Sequence, residues 1–105
     1  MELETYTFIL LRRGPRAGKY SDSELAEIQR GHLAFLDEMH AQGHLLLSGP
    51  FQDQEDETKR GFCVYRTGLD ETRRLTEGDP AIQAGRMSVE AMTWLTKKGA
   101  LDGLR

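Results

Sequence analysis

The chain has 105 residues, 38% apolar and 30% charged, with 14 Lys and Arg against 17 Asp and Glu. At 11.9 kDa it makes one domain, and area scaling lets it bury about two thirds of its unfolded surface, enough for a core without disulfide or metal staples. The net charge of −3 with no basic block argues against a non-specific grip on nucleic-acid backbones, the longest apolar runs, such as Phe8-Ile9-Leu10-Leu11, are far too short to span a membrane, and from the acidic Glu2 and Glu4 no signal peptide is expected.

Residues 5–12 are aromatic and β-branched at the front and aliphatic behind, the composition of a strand. Gly14-Pro15-Arg16-Ala17-Gly18 ends it. Ser21 followed by Glu24 is a capping box, and Leu25, Ile28, Phe35, Leu36 and Met39 then fall on one helical stripe. His32 sits inside that stripe. Gly31, in the helix interior, costs about 1 kcal/mol against Ala, which implies a close neighbour or an open space beside His32. Gly43 ends the helix. His44–Ser48 is a second strand closed by Gly49-Pro50, residues 51–60 are an acidic exposed hairpin loop, and Gly61–Arg66 is a third strand. Asp70 starts a second helix through Leu75, Gly78 stops it, and Asp79-Pro80 starts a short turn ending at Gly85. Met87–Leu95 is the fourth strand. In the last ten residues, Leu101 and Leu104 are spaced to dock one helical turn.

The order β-α-β-β-α-β predicts an α+β, ferredoxin-like domain: a four-stranded antiparallel sheet with two helices on one face. Strands that are half open to water alternate in polarity. Phe8-Ile9-Leu10-Leu11, Phe62-Cys63-Val64-Tyr65 and Met92-Thr93-Trp94-Leu95 do not. Both faces are therefore expected to be covered. With no element left for the second face, a homodimer packed through it is the economical cover.

Chemistry concentrates at a few positions. A histidine on a core stripe is either a hydrogen-bonded core residue or a general acid or base in a cleft. Asp79 before Pro80 is helix-cap chemistry, and its second oxygen could also orient His32. Ser48 and Gly49 place a hydroxyl and a backbone N–H at a strand end, with Pro50 behind them, though as turn residues they need no further reason. Arg12 and Arg13 close the first strand. They read as solvated, with an anion-binding role at the cleft mouth as the sharper alternative. His40 and His44 straddle Gly43, so a metal pair is not expected, and no Cys or carboxylate spacing suggests zinc. Cys63, the only cysteine, reads as a small buried hydrophobe, and its isolation points to a reducing cytoplasm.

These residues together resemble the YCII-like (YciI-like) family of small dimeric α+β barrel proteins. The resemblance runs from about Tyr6 to Trp94, through Phe8-Ile9-Leu10-Leu11-Arg12, His32, Gly43-His44-Leu45-Leu46-Leu47-Ser48-Gly49-Pro50, Gly61-Phe62, Gly78-Asp79-Pro80-Ala81 and Gly85. It places a YCII-like domain at residues 1–96 and a tail at 97–105. It implies a ferredoxin-like protomer, a homodimer, and an active site built on a His–Asp dyad of His32 and Asp79, bordered by Ser48, Gly49 and Pro50. One branch of the family resembles dehydrochlorinases of chlorinated hydroxyquinols. The acidic loop and the tail depart from the family pattern, so no particular substrate carries over. The sequence is thus read as an acid–base enzyme without cofactor or metal, acting on a small molecule by elimination or isomerisation. Arg12 and the Ser48–Pro50 corner would contact substrate. The competing reading is a dimer that binds a metabolite or a partner without chemistry.

Overall fold

The computed structural model describes residues 1–104. Four strands, β1 (Leu3–Arg13), β2 (Leu45–Pro50), β3 (Lys59–Tyr65) and β4 (Met87–Lys97), form an antiparallel sheet in the order β2-β3-β1-β4. Three helices, α1 (Asp22–Ala41), α2 (Leu69–Thr76) and the single-turn α3 (Pro80–Gln83), supply the second layer. The α+β, ferredoxin-like architecture expected from the element order is the one observed, with the second helical segment divided in two at Gly78-Asp79.

Alternation along β1 assigns its two faces. Ile9 and Leu11 point toward the helices, where they meet Cys63 and Tyr65 of β3, Leu45 of β2 and Met39 of α1. Phe35, Leu36, Leu75, Ile82 and Val89 close around them. Tyr6 and Phe8 point the other way, with Val64 and Phe62 from β3. Ile9 is fully buried at the centre of the helix-side core. The continuous apolar strands of the sequence therefore do serve two apolar faces.

The second face is not bare. Lys98 donates its backbone N–H to Glu2 O at 3.0 Å, Gly99 donates to Glu4 Oε1 at 2.7 Å, and the chain turns back. Leu101 then packs on the cluster of Tyr6, Leu46 and Val64. The expectation that no element remains for this face is corrected at that end: the tail covers it, finishing in a 3₁₀ turn, Asp102–Leu104. Only Leu101 of the i, i+3 pair docks, because Leu104 stays 40% exposed. The other end carries a row of aromatic rings. Phe8 stacks on Phe62 at 5.3 Å between centroids, Phe62 on Phe51 at 5.9 Å, and Trp94 meets the Phe8 edge at 6.5 Å.

Two irregularities in the strands bear on the site. In β2 the register with β3 shifts between Leu45 and Leu47, so Leu46 and Leu47 both pack against the second-face cluster. Without that extra residue Ser48 would follow them to the wrong side. With it, Ser48 pairs opposite Cys63, on the helix side. A second shift, between Leu11 and Arg12, leaves Arg60 of β3 without a partner on β1. Such bulges bend an edge and re-aim a side chain. Among the described residues, no helix is long and apolar enough to cross a membrane.

Candidate active site

Helix α1 is held at both ends. Ser21 Oγ accepts from Glu24 N at 3.2 Å and Glu24 Oε1 accepts from Ser21 N at 2.9 Å, the reciprocal cap expected from Ser21 and Glu24. The Ser21 backbone N–H, and after it the Ser21 side chain, hold the Glu24 carboxyl below its ordinary range. Gly43, at φ +79°, takes the left-handed turn after the last helical residues. Between these ends the stripe buries His32 and Met39. His32 is 5% exposed, and Asp79, across the gap to α3, is 2% exposed.

Asp79 serves two partners. Its Oδ1 accepts from Ala81 N at 2.9 Å, capping α3, with Pro80 at the first helical position. Its Oδ2 lies 2.7 Å from His32 Nδ1. A carboxylate only accepts, so Nδ1 carries the hydrogen, and in the neutral ring the lone pair is left on Nε2. Nε2 has no side-chain or backbone partner among the described residues. Since no buried side-chain polar atom there lacks a partner, Nε2 is in contact with solvent.

The close approach depends on Gly31. A Cβ at that position would lie 2.9 Å from Pro80 Cγ and 3.0 Å from Pro80 Cβ. The missing side chain is the space in which the Asp79-Pro80 turn sits. The glycine therefore marks a close neighbour rather than an opening.

His32 also lines a cavity of about 290 Å³. Leu11, Leu33 and Leu36 make its apolar wall, and Ser48, Gly49 and Pro50 make its rim at the edge strand. Gly61 forms part of the floor, where a Cβ would sit 2.5 Å from Gly49 O. Of the sequence candidates, His32, Ser48, Gly49 and Pro50 come together here. Asp79 bonds the imidazole at Nδ1 and does not line the cavity. Arg12 lies elsewhere. Its parity in β1 sends it to the second sheet face, where it donates to Glu90 Oε1 at 2.5 Å and Thr58 Oγ1 at 2.9 Å, with Asp56 at 3.5 Å. Thr58, which donates to Asp56, and then Arg12 keep the Asp56 carboxyl below its usual range.

Burial, reinforced by the charge of Asp79, pushes the Cys63 thiol up to about 12. Burial, with smaller contributions from Cys63 and Asp79, raises the Tyr65 phenol as well. Both groups stay protonated and belong to the core. Among the described residues no three His, Cys, Asp or Glu side chains cluster as metal ligands.

Four residues absent from the sequence candidates, Gln29, Arg60, Met87 and Arg86, also border this region. Gln29 and Arg60 line the His32 cavity, and Arg60 and Met87 are shared with a second hollow of about 280 Å³ that includes Arg13 and Arg86. Parity was a usable signal for Arg13, which follows Ile9 and Leu11 onto the helix side. None existed for Arg60, whose direction is set by a bulge.

The YCII-related domain model matches residues 7–95. The chain belongs to that family. As a YCII-related protein it is similar to Uncharacterized protein YjpA of Bacillus subtilis (strain 168), 28% identical over 93 residues that cover 89% of this chain and 99% of the relative. Among solved structures, SnoaB, a cofactor-independent oxygenase from Streptomyces nogalater, shares the fold with a TM-score of 0.51 and 14% identity over 92% of this chain and 97% of its own. The 5-chloro-2-hydroxyhydroquinone dehydrochlorinase TftG from Burkholderia phenoliruptrix AC1100, solved with 2,5-dihydroxybenzoquinone, matches with a TM-score of 0.48 and 20% identity over 87% of this chain and 91% of its own.

Gly31→Ala tests the fit between α1 and the Asp79-Pro80 turn. Overpacking of this kind costs about 1–3 kcal/mol, and the helix-propensity gain returns about 1 kcal/mol. A net loss of up to about 2 kcal/mol is expected in urea denaturation. The His32 Nδ1–H proton resonance should also move or broaden as the bond to Asp79 lengthens. Gain of stability with an unchanged resonance would mean that Pro80 does not press on α1.

Proposed function

We propose that this YCII-related protein is an acid–base enzyme for a small molecule, with His32 as the proton-transferring group. The observation that carries the reading is the asymmetry of the imidazole. Nδ1 is tied to a buried carboxylate that itself caps a helix, and Nε2 is free to accept a proton beside a cavity of ligand size.

In the proposed reaction Nε2 takes a proton from a substrate C–H or O–H. Asp79 keeps the ring in the tautomer that leaves Nε2 basic, and its charge stabilises the imidazolium that forms. In an elimination, the electron pair of the broken C–H bond becomes a π bond as the leaving group departs, and the imidazolium later loses its proton to water. In an isomerisation the same imidazolium returns the proton to a neighbouring carbon. The Ser48 hydroxyl or the Gly49 N–H would hydrogen-bond a substrate oxygen on which negative charge grows. The pushed-up thiol and phenol behind Asp79 compete for neither role. Enolisable ring ketones and halogenated hydroquinols are the substrate classes that fit such chemistry.

The same reading gives the second sheet face to another copy of the chain. Met92 is 40% exposed and Trp94 36% exposed beside the stacked Phe8, Phe62 and Phe51. The accessible surface of 6611 Å² exceeds the roughly 6,000 Å² expected of a monomer of this mass. An apolar row of this kind is a surface suited to a two-fold interface.

Proton transfer is checked by following deuterium incorporation from D₂O, or halide release, across a panel of those two classes. His32→Ala is expected to lose about 10²–10⁴-fold in rate, and Asp79→Asn up to about 10⁴-fold, with both variants still folded by circular dichroism. Wild-type rates no better than those of His32→Ala would leave a binding module. For assembly, sedimentation velocity at micromolar concentration is expected to give a dimer that Trp94→Glu converts to a monomer. A monomeric wild type would remove the second copy from the account.

A further inference from the structure

The His32 cavity does not end at Met87. Arg60 and Met87 form a common wall with the second hollow, whose other sides are Arg13, Ala17, Leu25 and Arg86. Three arginines from three separate elements thus line one hollow. Arg13 is the last residue of β1, Arg60 is the bulged residue of β3, and Arg86 follows the left-handed Gly85 just before β4.

This gathering runs against the charge of the chain, which is −3 overall. Like charges brought together repel, and surface arginines usually find carboxylates. Here, among the described residues, none of the three forms an ion pair. Arg60 Nη1 reaches the Glu57 carbonyl at 3.4 Å, and Arg86 Nη1 donates to Gln29 Oε1 at 3.1 Å. The contrast with Arg12, one residue from Arg13 and engaged by Glu90, Asp56 and Thr58 on the opposite face, shows that acidic partners are within the reach of this fold. They are spent on the other side of the sheet. Gln29 in turn lines the His32 cavity, one turn before His32 on the same helix. Its bond to Arg86 fastens the cationic hollow to the wall of the cavity that holds the imidazole.

We propose that the arginine hollow is an oxyanion subsite, and that the small molecule handled by His32 carries a carboxylate or phosphate group seated there. A guanidinium offers a planar fork of N–H donors that matches the oxygens of either group, and a concave cluster of one sign focuses the field on an incoming anion. Each hollow alone, at about 290 and about 280 Å³, falls just short of the ligand-pocket range of about 300–1,000 Å³. Together they suit one ring and one acidic arm, the ring against Leu11 and Leu36 and the arm among the arginines. This assignment of the ring rests on the catalytic reading of His32. Oxyanion binding itself does not.

The test is a binding titration of the full chain by NMR, observing arginine Nε–H and His32 ring signals, with benzoate, phenyl phosphate and the uncharged isostere benzamide as probes. The signals of Arg13, Arg60 and Arg86 are expected to shift with one or both oxyanions. Benzamide is expected to bind at least about tenfold more weakly, and the oxyanion affinity should fall as sodium chloride is added. Arg60→Gln and Arg86→Gln are each expected to weaken binding about tenfold or more, the loss of a charge-assisted hydrogen bond. Benzoate against phenyl phosphate tells which acid the hollow prefers. Equal binding of benzoate and benzamide, shifts that bypass these arginines, or no shift with either oxyanion at tens of millimolar would each overturn the subsite. The wild-type comparison of charged and uncharged probes decides the matter even if a variant fails to fold. Oxyanion binding with His32-independent turnover would sink the catalytic role alone. His32-dependent turnover without oxyanion preference would sink the subsite alone.

Discussion

The site rests on one close approach, of the α1 backbone at Gly31 to the ring of Pro80. Helix α1 can lie against the Asp79-Pro80 turn only because residue 31 has no side chain, and the Pro80 ring occupies the space that a Cβ would need. From that approach follow the 2.7 Å separation of His32 Nδ1 and Asp79 Oδ2 and the burial of both groups. An interior glycine is unfavourable in a helix by about 1 kcal/mol. The cost is local and the return is positional: a carboxylate already fixed by capping α3 is delivered to the back of an imidazole. Both ends of the hydrogen bond are therefore set by secondary structure rather than by flexible side chains, the arrangement that holds a proton-transfer group in one orientation.

The sheet contributes through its irregularities. A regular β2 would aim Ser48 at the aromatic face, and a regular β3 would give Arg60 a partner on β1. The two bulges return Ser48 to the helix side and leave Arg60 at the junction of two hollows. The faces of the sheet thereby separate by chemistry. One gathers an imidazole, a hydroxyl and arginines that form no ion pair among the described residues. The other holds stacked rings, the docked Leu101 and the ion pairs of Arg12. The imidazole and hydroxyl on one side and the exposed rings on the other are separated by a single layer.

Much of this was readable in the letters. The period of the α1 stripe placed His32 among Phe35, Leu36 and Met39, the Ser21–Glu24 spacing fixed where that helix begins, and Asp-Pro marked the cap of α3. The element order was sufficient for the fold, because β-α-β-β-α-β in about 95 residues has few ways to close a sheet. What stayed illegible depends on register. Arg12 and Arg13 are adjacent, so parity sends them to opposite faces, but which face carries the helices is known only from the packing of Ile9 and Leu11. Bulges at Leu46 and Arg60 leave no composition signal, and the direction of the tail is set by backbone N–H bonds to the Glu2 carbonyl and the Glu4 carboxylate that spacing does not encode.

The central claim is that Asp79 holds the hydrogen of His32 on Nδ1 and leaves Nε2 with an open lone pair. Long-range ¹H–¹⁵N correlation spectra of the histidine rings, recorded under conditions where His32 is neutral, measure this directly. The account predicts a protonated, pyrrole-type Nδ1 and an unprotonated, pyridine-type Nε2 for His32, lost or averaged in Asp79→Asn. A neutral His32 with its hydrogen on Nε2, unchanged by that substitution, would contradict it.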